Sequence, residues 1–220
     1  MIQCPSCARQ QEPRLLCRDC GAPLAVEVDY FAALGFPRRL TLEPSQLEGA
    51  YHERGRLLHP DRFATEPEAV REASLRSTAL LTRSYRTLRD PVSRGRYWLE
   101  LRGEKLAEDN KRVPAEVAAL VFEVQEDLAE LRDAMGSDRD SIDELLTAIR
   151  ERRQALRLSI DEAQEELERN FTRWDSGSAD SAGLTQDLKA ILSKIAYLRT
   201  LIRDVDRELE PLAVADRNAL

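Results

Sequence analysis

The chain has 220 residues with 33 Lys or Arg against 40 Asp or Glu, a formal net charge of −7; 42% of residues are hydrophobic and only 5% aromatic. That length suits one to three small domains, and dense charge with few aromatics points to long solvated helices rather than a sandwich or barrel. Two histidines, no Gly-rich phosphate loop and no G-x-S-x-G leave a catalytic cleft unstaffed, so no catalytic residue is assigned. No apolar run reaches the ~18 residues of a membrane span, and Met1-Ile2-Gln3-Cys4 lacks the charged and apolar regions of a signal peptide, so a cytoplasmic protein is expected. The charge is uneven: residues 1–102 carry 16 basic and 13 acidic side chains, residues 103–220 carry 17 and 27. Overall acidity argues against nucleic-acid binding, where phosphate neutralisation supplies most non-specific affinity, although residues 71–102 are locally basic.

All four cysteines fall in the first 20 residues, as Cys4-x2-Cys7 and Cys17-x2-Cys20. Each C-x-x-C offers two thiolates to one tetrahedral ion, and the intervening loop brings the four together at about 2.3 Å from the metal. Pro5 and Gly21 suit tight turns that need a fixed or positive φ. Structural zinc is the leading reading, with iron in the same cage as the main alternative metal; two disulfides or a redox dithiol are the competing chemistries, disfavoured by a cytosolic setting and by the absence of a surrounding βαβ pattern. Fewer than 30 residues form no core unaided, so the metal is expected to fold this segment and to support only its own loop.

Residues 29–100 read as a short helical domain. Asp29 suits the N-cap of a two-turn helix that Gly35 and Pro37 stop. A second helix starts near Pro44, runs through Leu47, Tyr51 and Leu58, and ends at His59-Pro60-Asp61. A third begins near Pro67 and runs through Val70, Leu75, Ala79, Leu80, Tyr85 and Leu88 until Asp90-Pro91 breaks it. Helices joined by a short loop pack antiparallel, which places His59-Pro60-Asp61 at an exposed hairpin tip.

The acidic remainder carries heptad seams. Val117, Val121, Val124, Leu128, Leu131 and Met135 step by four and three, as do Leu184, Leu188, Ile191, Ile195, Leu198, Ile202, Val205, Leu209 and Leu212. Between them Ile142, Leu145, Ile149, Leu156, Ile160 and Leu167 mark another helix, its seam interrupted at Arg152 or Arg153. With connections at Gly136-Ser137 and Asp175–Gly183, three antiparallel helices are the economical arrangement. Phe122 and Tyr197 fall off these seams, and aromatics exposed on a charged helix are candidate contact points, with packing against the rest of the chain as the alternative.

His59-Pro60-Asp61 with Arg62-Phe63, the Asp29-Tyr30-Phe31 helix before it, and Tyr85-Arg-Thr-Leu-Arg-Asp-Pro91 with Arg94 and Tyr97 after it resemble a J-domain, and more narrowly the HscB family of iron–sulfur co-chaperones. The resemblance implies an all-α protein in three parts: a four-cysteine segment (1–28), a J-domain (29–100) and a scaffold-binding bundle (101–220). It implies that His59, Pro60 and Asp61 dock on a DnaK/HscA-type chaperone ATPase and trigger its ATP hydrolysis, with Asp61 offering a carboxylate to an arginine, Pro60 restricting the loop, His59 orienting it and Arg56 steering the encounter. Two positions depart from the family: Arg54 stands where a core leucine is usual, and Leu57 where a charge is common. Leu120–Glu126 looks like the family's scaffold-binding helix and Lys194–Leu198 like its last-helix counterpart. By that match Val121, Phe122, Gln125, Glu126 and Tyr197 form a patch for an IscU-type scaffold. The implied function is a non-enzymatic adaptor that brings scaffold to ATPase. The alternatives are a general J-protein whose bundle binds unfolded clients or oligomerises, and a thiol oxidoreductase.

Overall fold

A computed structural model of the chain describes residues 1–106, 115–134, 139–177 and 180–218. Two-residue strands β1 (Ile2–Gln3) and β2 (Gln10–Gln11) precede the helices α1 (Tyr30–Leu34), α2 (Pro44–Leu58), α3 (Glu68–Arg89), α4 (Pro91–Leu101), α5 (Ala118–Asp133), α6 (Arg139–Asp175) and α7 (Ser181–Asn218), with single 3-10 turns at Pro60–Phe63 and Ala115–Val117. The all-α class expected from the sequence is the class found. The strands form one short antiparallel ladder, Ile2 opposite Gln11 and Gln3 opposite Gln10, that encloses the first cysteine pair. Contacts divide the chain into two units: Met1–Arg102 together with Trp174 and the residues just after it, and Gly103–Arg173 with Ala179–Leu220. No helix among the described residues is long and apolar enough to cross a membrane.

In the first unit the helix ends follow from single residues. The Asp29 carboxylate accepts the Ala32 N–H at 2.9 Å, and Gly35, at φ 75°, closes α1 in the left-handed region. Asp90-Pro91, expected only to break α3, also starts α4: the Asp90 carboxylate accepts the Ser93 N–H at 2.8 Å and Pro91 occupies the first turn. Helix α4, which the sequence reading did not anticipate, closes the core from one side. Tyr97 stacks on Tyr30 at 4.1 Å, its hydroxyl accepts the Tyr30 N–H at 3.0 Å, and Trp98 meets Phe31 edge-on at 6.2 Å. Trp174 packs edge-on against Trp98 at 5.7 Å, under the Arg102 guanidinium at 4.6 Å.

The core of this unit joins Phe31, Ala33 and Leu34 of α1, Leu47 and Leu58 of α2, and Leu81 and Leu88 of α3. The inward face of α3 is only partly its apolar one. Leu75 and Ala79 are exposed, and the buried positions are Val70, Ala73, Ser74, Ser77, Leu81, Ser84 and Leu88. Three buried serines are tolerable because each hydroxyl donates to a carbonyl, Ser74 to Leu58 at 2.6 Å, Ser77 to Leu24 at 3.0 Å and Ser84 to Leu80 at 2.7 Å. Buried Arg94 likewise donates to the Leu88 carbonyl at 2.9 Å.

The second unit is a bundle with an apolar seam of Val121, Val124, Leu128 and Leu131 on α5, Leu146, Ile149 and Leu156 on α6, and Leu198, Leu201 and Val205 on α7. Cross-helix pairs fix its directions. Arg173–Asp187 and Arg153–Asp206 run α6 and α7 antiparallel, while Lys194–Glu116 and Arg132–Glu208 run the α5 segment and α7 parallel. The two arginines that interrupt the α6 seam serve different neighbours: Arg152 lies 3.2 Å from Glu123 of α5, and Arg153 lies 2.5 Å from Asp206 of α7. The seams are broader than a strict heptad, because Leu146, Ala163, Phe171, Leu192 and Leu201 are buried as well while Ile142, Leu145, Ile160 and Ile202 are half-buried. Met135, Gly136-Ser137 and the Leu212 side chain lie outside the described residues.

Candidate functional sites

The four cysteines are carried by two turns of like construction. Cys4 C=O accepts the Ala8 N–H at 2.9 Å and Cys17 C=O accepts the Gly21 N–H at 3.1 Å, and both Ala8 (φ 56°) and Gly21 (φ 72°) are left-handed. All four sulfurs lie within 4.8 Å of one another, with Cys4–Cys20 at 3.6 Å and Cys7–Cys17 at 3.7 Å. A tetrahedron of 2.3 Å bonds has edges of about 3.8 Å, so these separations fit one metal ion in a closed tetrathiolate cage. They are far beyond a disulfide bond, and all four thiols are free.

The electrostatics of the cluster also favour a cation. Hydrogen bonds from the Cys20 backbone, opposed by desolvation and aided by the Gln11 amide, bring the Cys17 thiol down to about 6. The Ala22 backbone acts on Cys20 in the same sense, but desolvation and the neighbouring thiols Cys17, Cys4 and Cys7 override it and push Cys20 up to about 12. Four such close thiols resist ionising together, and a bound divalent ion removes that conflict. Gln11, which sequence reading missed, is buried, donates from Nε2 to Cys17 Sγ at 3.0 Å and accepts the Arg18 N–H at 3.1 Å. Its only signal is the strand alternation that turns Gln10 outward and Gln11 inward.

His59, Pro60 and Asp61 stand where α2 gives way to the 3-10 turn. The Asp61 side chain is 89% exposed, and His59 Nδ1 accepts the Asp61 N–H at 3.3 Å, an acceptor role that belongs to the unprotonated nitrogen. Beneath the turn, Ser74 and Thr78 of α3 both donate to the Leu58 carbonyl, at 2.6 and 3.1 Å. Arg56 is exposed one turn upstream and shares a shallow cleft of about 540 Å³ with Tyr51, His52, His59 and Arg62. The outward face of this cleft is therefore cationic while Asp61 projects as a single carboxylate. Of the two departures, Leu57 is exposed, and the Arg54 guanidinium lies over Gly35, which has no side chain to exclude it.

On α5 the predicted patch separates into two layers. Phe122 is 63% exposed, and Gln125 and Glu126, three and four positions on, are exposed on the same face. Val121 is 6% exposed and faces the bundle core, so it presents no area to a partner. Tyr197, expected off the seam, is half-buried and packs against that core, because the α7 seam is wide enough to take in its flank.

No family model matches the chain. A co-chaperone protein HscB homolog of Azoarcus sp. (strain BH72) is 28% identical over 188 residues, covering 85% of this chain and 97% of that protein. One from Chromobacterium violaceum is 30% identical over 123 residues, 56% of this chain and 68% of its own length. Among solved structures, human co-chaperone protein HscB superposes with a TM-score of 0.69 at 22% identity, over 96% of this chain and all of that one. HscB from Vibrio cholerae gives 0.57 at 20% identity, over 84% of this chain and 99% of its own. The structural matches carry the fold, the sequence matches carry the lineage, and together they establish that the chain belongs to the HscB co-chaperone family.

Proposed function

We propose that the protein is an iron–sulfur co-chaperone that stimulates a DnaK/HscA-type ATPase through His59-Pro60-Asp61 and delivers an IscU-type scaffold on its C-terminal bundle. The observation that carries this reading is the presentation of Asp61: a nearly fully exposed carboxylate, held at the end of a helical hairpin whose flanking face displays Arg56 and Arg62. Such a carboxylate is available for a charge-assisted bond to a partner's arginine, and the basic cleft steers the approach to an acidic surface. The protein performs no bond chemistry itself and works in the cytoplasm. Phe122, Gln125 and Glu126 grip the scaffold, with half-buried Tyr197 adding to the patch and Val121 serving the bundle core beneath the helix.

Cys4, Cys7, Cys17 and Cys20 hold structural zinc, or iron in the same cage. With all four positions taken by thiolates, the ion supplies fixed geometry and no open site for catalysis. Asp61→Asn tests the central assignment. It should abolish stimulation of the ATPase while leaving the helical circular dichroism unchanged, because a side chain so exposed adds little to the fold. Full stimulation by the variant would refute the role given to Asp61.

A further inference from the structure

We propose that the metal held by the four cysteines is a folding ligand for the whole N-terminal unit, acting through Leu15 and the Ser77–Leu24 hydrogen bond on the hairpin that bears His59-Pro60-Asp61. This rests on the reading of the cysteines as a metal site, and it reverses the expectation that the metal supports only its own loop.

Leu15 lies two residues before Cys17, between the cysteine pairs. It is 5% exposed and belongs to the core with Phe31, Leu34, Leu47, Leu58, Leu81 and Leu88, not to the small cluster that Cys4, Cys17, Ala22 and Leu24 form around the sulfurs. Leu24, four residues after Cys20, is 1% exposed, and its carbonyl accepts the buried Ser77 hydroxyl at 3.0 Å. These two anchors are the ends of one ladder: Leu24 N–H donates to Leu15 C=O at 2.8 Å and Cys17 N–H to Ala22 C=O at 2.8 Å. From Ser77 the path continues along α3 to its neighbours Ser74 and Thr78, whose hydroxyls both hold the Leu58 carbonyl, immediately before His59.

The physical reason for coupling is that this ladder's own core is small, Ala22 and Leu24 beside the ligand residues Cys4 and Cys17. Without an ion little beyond the Gln11 hydrogen bonds to Cys17 and Arg18 ties the two cysteine turns together, and so short a segment buries too little apolar surface to stay folded. If the ladder frays, Leu15 leaves a cavity among the leucines and the Ser77 hydroxyl loses its partner. A ligand that binds only the folded state lowers the unfolding constant by 1 + [M]/Kd, about a hundredfold when free metal is a hundred times Kd.

Both tryptophans of the chain, Trp98 and Trp174, belong to this unit, so tryptophan fluorescence reports its unfolding. The test is a urea titration of the full chain under reductant, zinc-loaded against chelator-stripped, with metal content checked by elemental analysis. The expected result is an unfolding constant about a hundredfold larger in the stripped protein at that zinc excess, and a gap reduced about fivefold in Ser77→Ala, which still binds one zinc. Coincident transitions in protein that demonstrably gains and loses zinc would overturn the coupling alone. Failure to bind zinc at all would overturn the metal reading and the coupling with it. An undiminished gap in Ser77→Ala would overturn the route through α3.

Discussion

Truncating Phe122 to alanine separates a residue held for a partner from one held for the fold. The ring is 63% exposed, and its neighbours at one turn in either direction, Ala118, Ala119, Gln125 and Glu126, are exposed too. Fully burying a phenylalanine is worth about 1.5–3 kcal/mol, so the third or so that is buried contributes roughly 0.5–1 kcal/mol. Alanine recovers roughly 0.5 kcal/mol of helix propensity at the same position. Phe122→Ala should therefore change folding stability by less than about 0.5 kcal/mol. Leu128→Ala, on the inward face of the same helix, should cost about 2–5 kcal/mol. Chemical denaturation followed by circular dichroism measures both. Scaffold affinity should show the opposite order: an exposed aromatic that anchors an interface is worth at least about 2 kcal/mol, roughly a 30-fold loss of affinity for Phe122→Ala. If Phe122→Ala destabilises the bundle as much as Leu128→Ala, the ring is core. If it is stable and binds an IscU-type scaffold normally, the contact surface lies elsewhere.

Gly35→Ala should lower the urea midpoint of the tryptophan signal by the equivalent of about 1–2 kcal/mol, since position 35 is left-handed at φ 75°; an added Cβ would also fall 1.9 Å from Arg54 Nη2, a flexible end that must move away. An unchanged midpoint would show that α1 can end without the left-handed residue. Desolvation raises the Tyr97 phenol above its ordinary value of 10.0, despite the Tyr30 N–H that favours the ionised form. The neutral phenol thus adds stability below pH 10 that is lost as pH rises through the folded value. Tyr97→Phe should flatten that alkaline limb in urea titrations across this range, and an equally steep limb in the variant would assign it to another group.

Legibility in the sequence tracked how local the physics was. Asp29, Gly35 and Pro44 act within one turn of helix, so their roles could be read from identity alone. The cysteine spacing was equally local, because a C-x-x-C turn brings its two sulfurs together whatever surrounds it. Asp90-Pro91 was half-read: a proline that ends one helix is also a good first residue for the next, and only the packing of Tyr97 and Trp98 on Tyr30 and Phe31 reveals that a helix follows. The buried face of α3 depends on tertiary contacts that its apolar residues alone do not reveal. Leu75 is apolar yet lies off the stripe that Val70, Leu81 and Leu88 define, and Ser74 and Ser77 fill that stripe because neighbouring backbone carbonyls accept their hydroxyls. Gln11 is separated from Gln10 only by the alternation of a two-residue strand, too short a pattern to read before the strand itself is known.

The same distinction explains why an exposed position such as Phe122 is legible on α5 while the half-burial of Tyr197 on α7 is not. Along α5 the apolar residues at 121, 124, 128 and 131 leave Phe122 with no work in the bundle, and an aromatic without a packing role on an acidic helix stands out. Along α7, buried residues at 188, 191, 192, 195, 198, 201 and 205 form a face wider than a two-position seam, so a residue one step off the heptad is still in contact with the core. Tyr197 is accordingly half-buried, in contact with the core and partly open to solvent. On the proposed scaffold-binding role, loss of that side chain should lower stability and scaffold affinity together, whereas loss of Phe122 should lower affinity alone. A heptad register read from sequence identifies surplus residues only where the helix contacts its neighbours along a single narrow stripe.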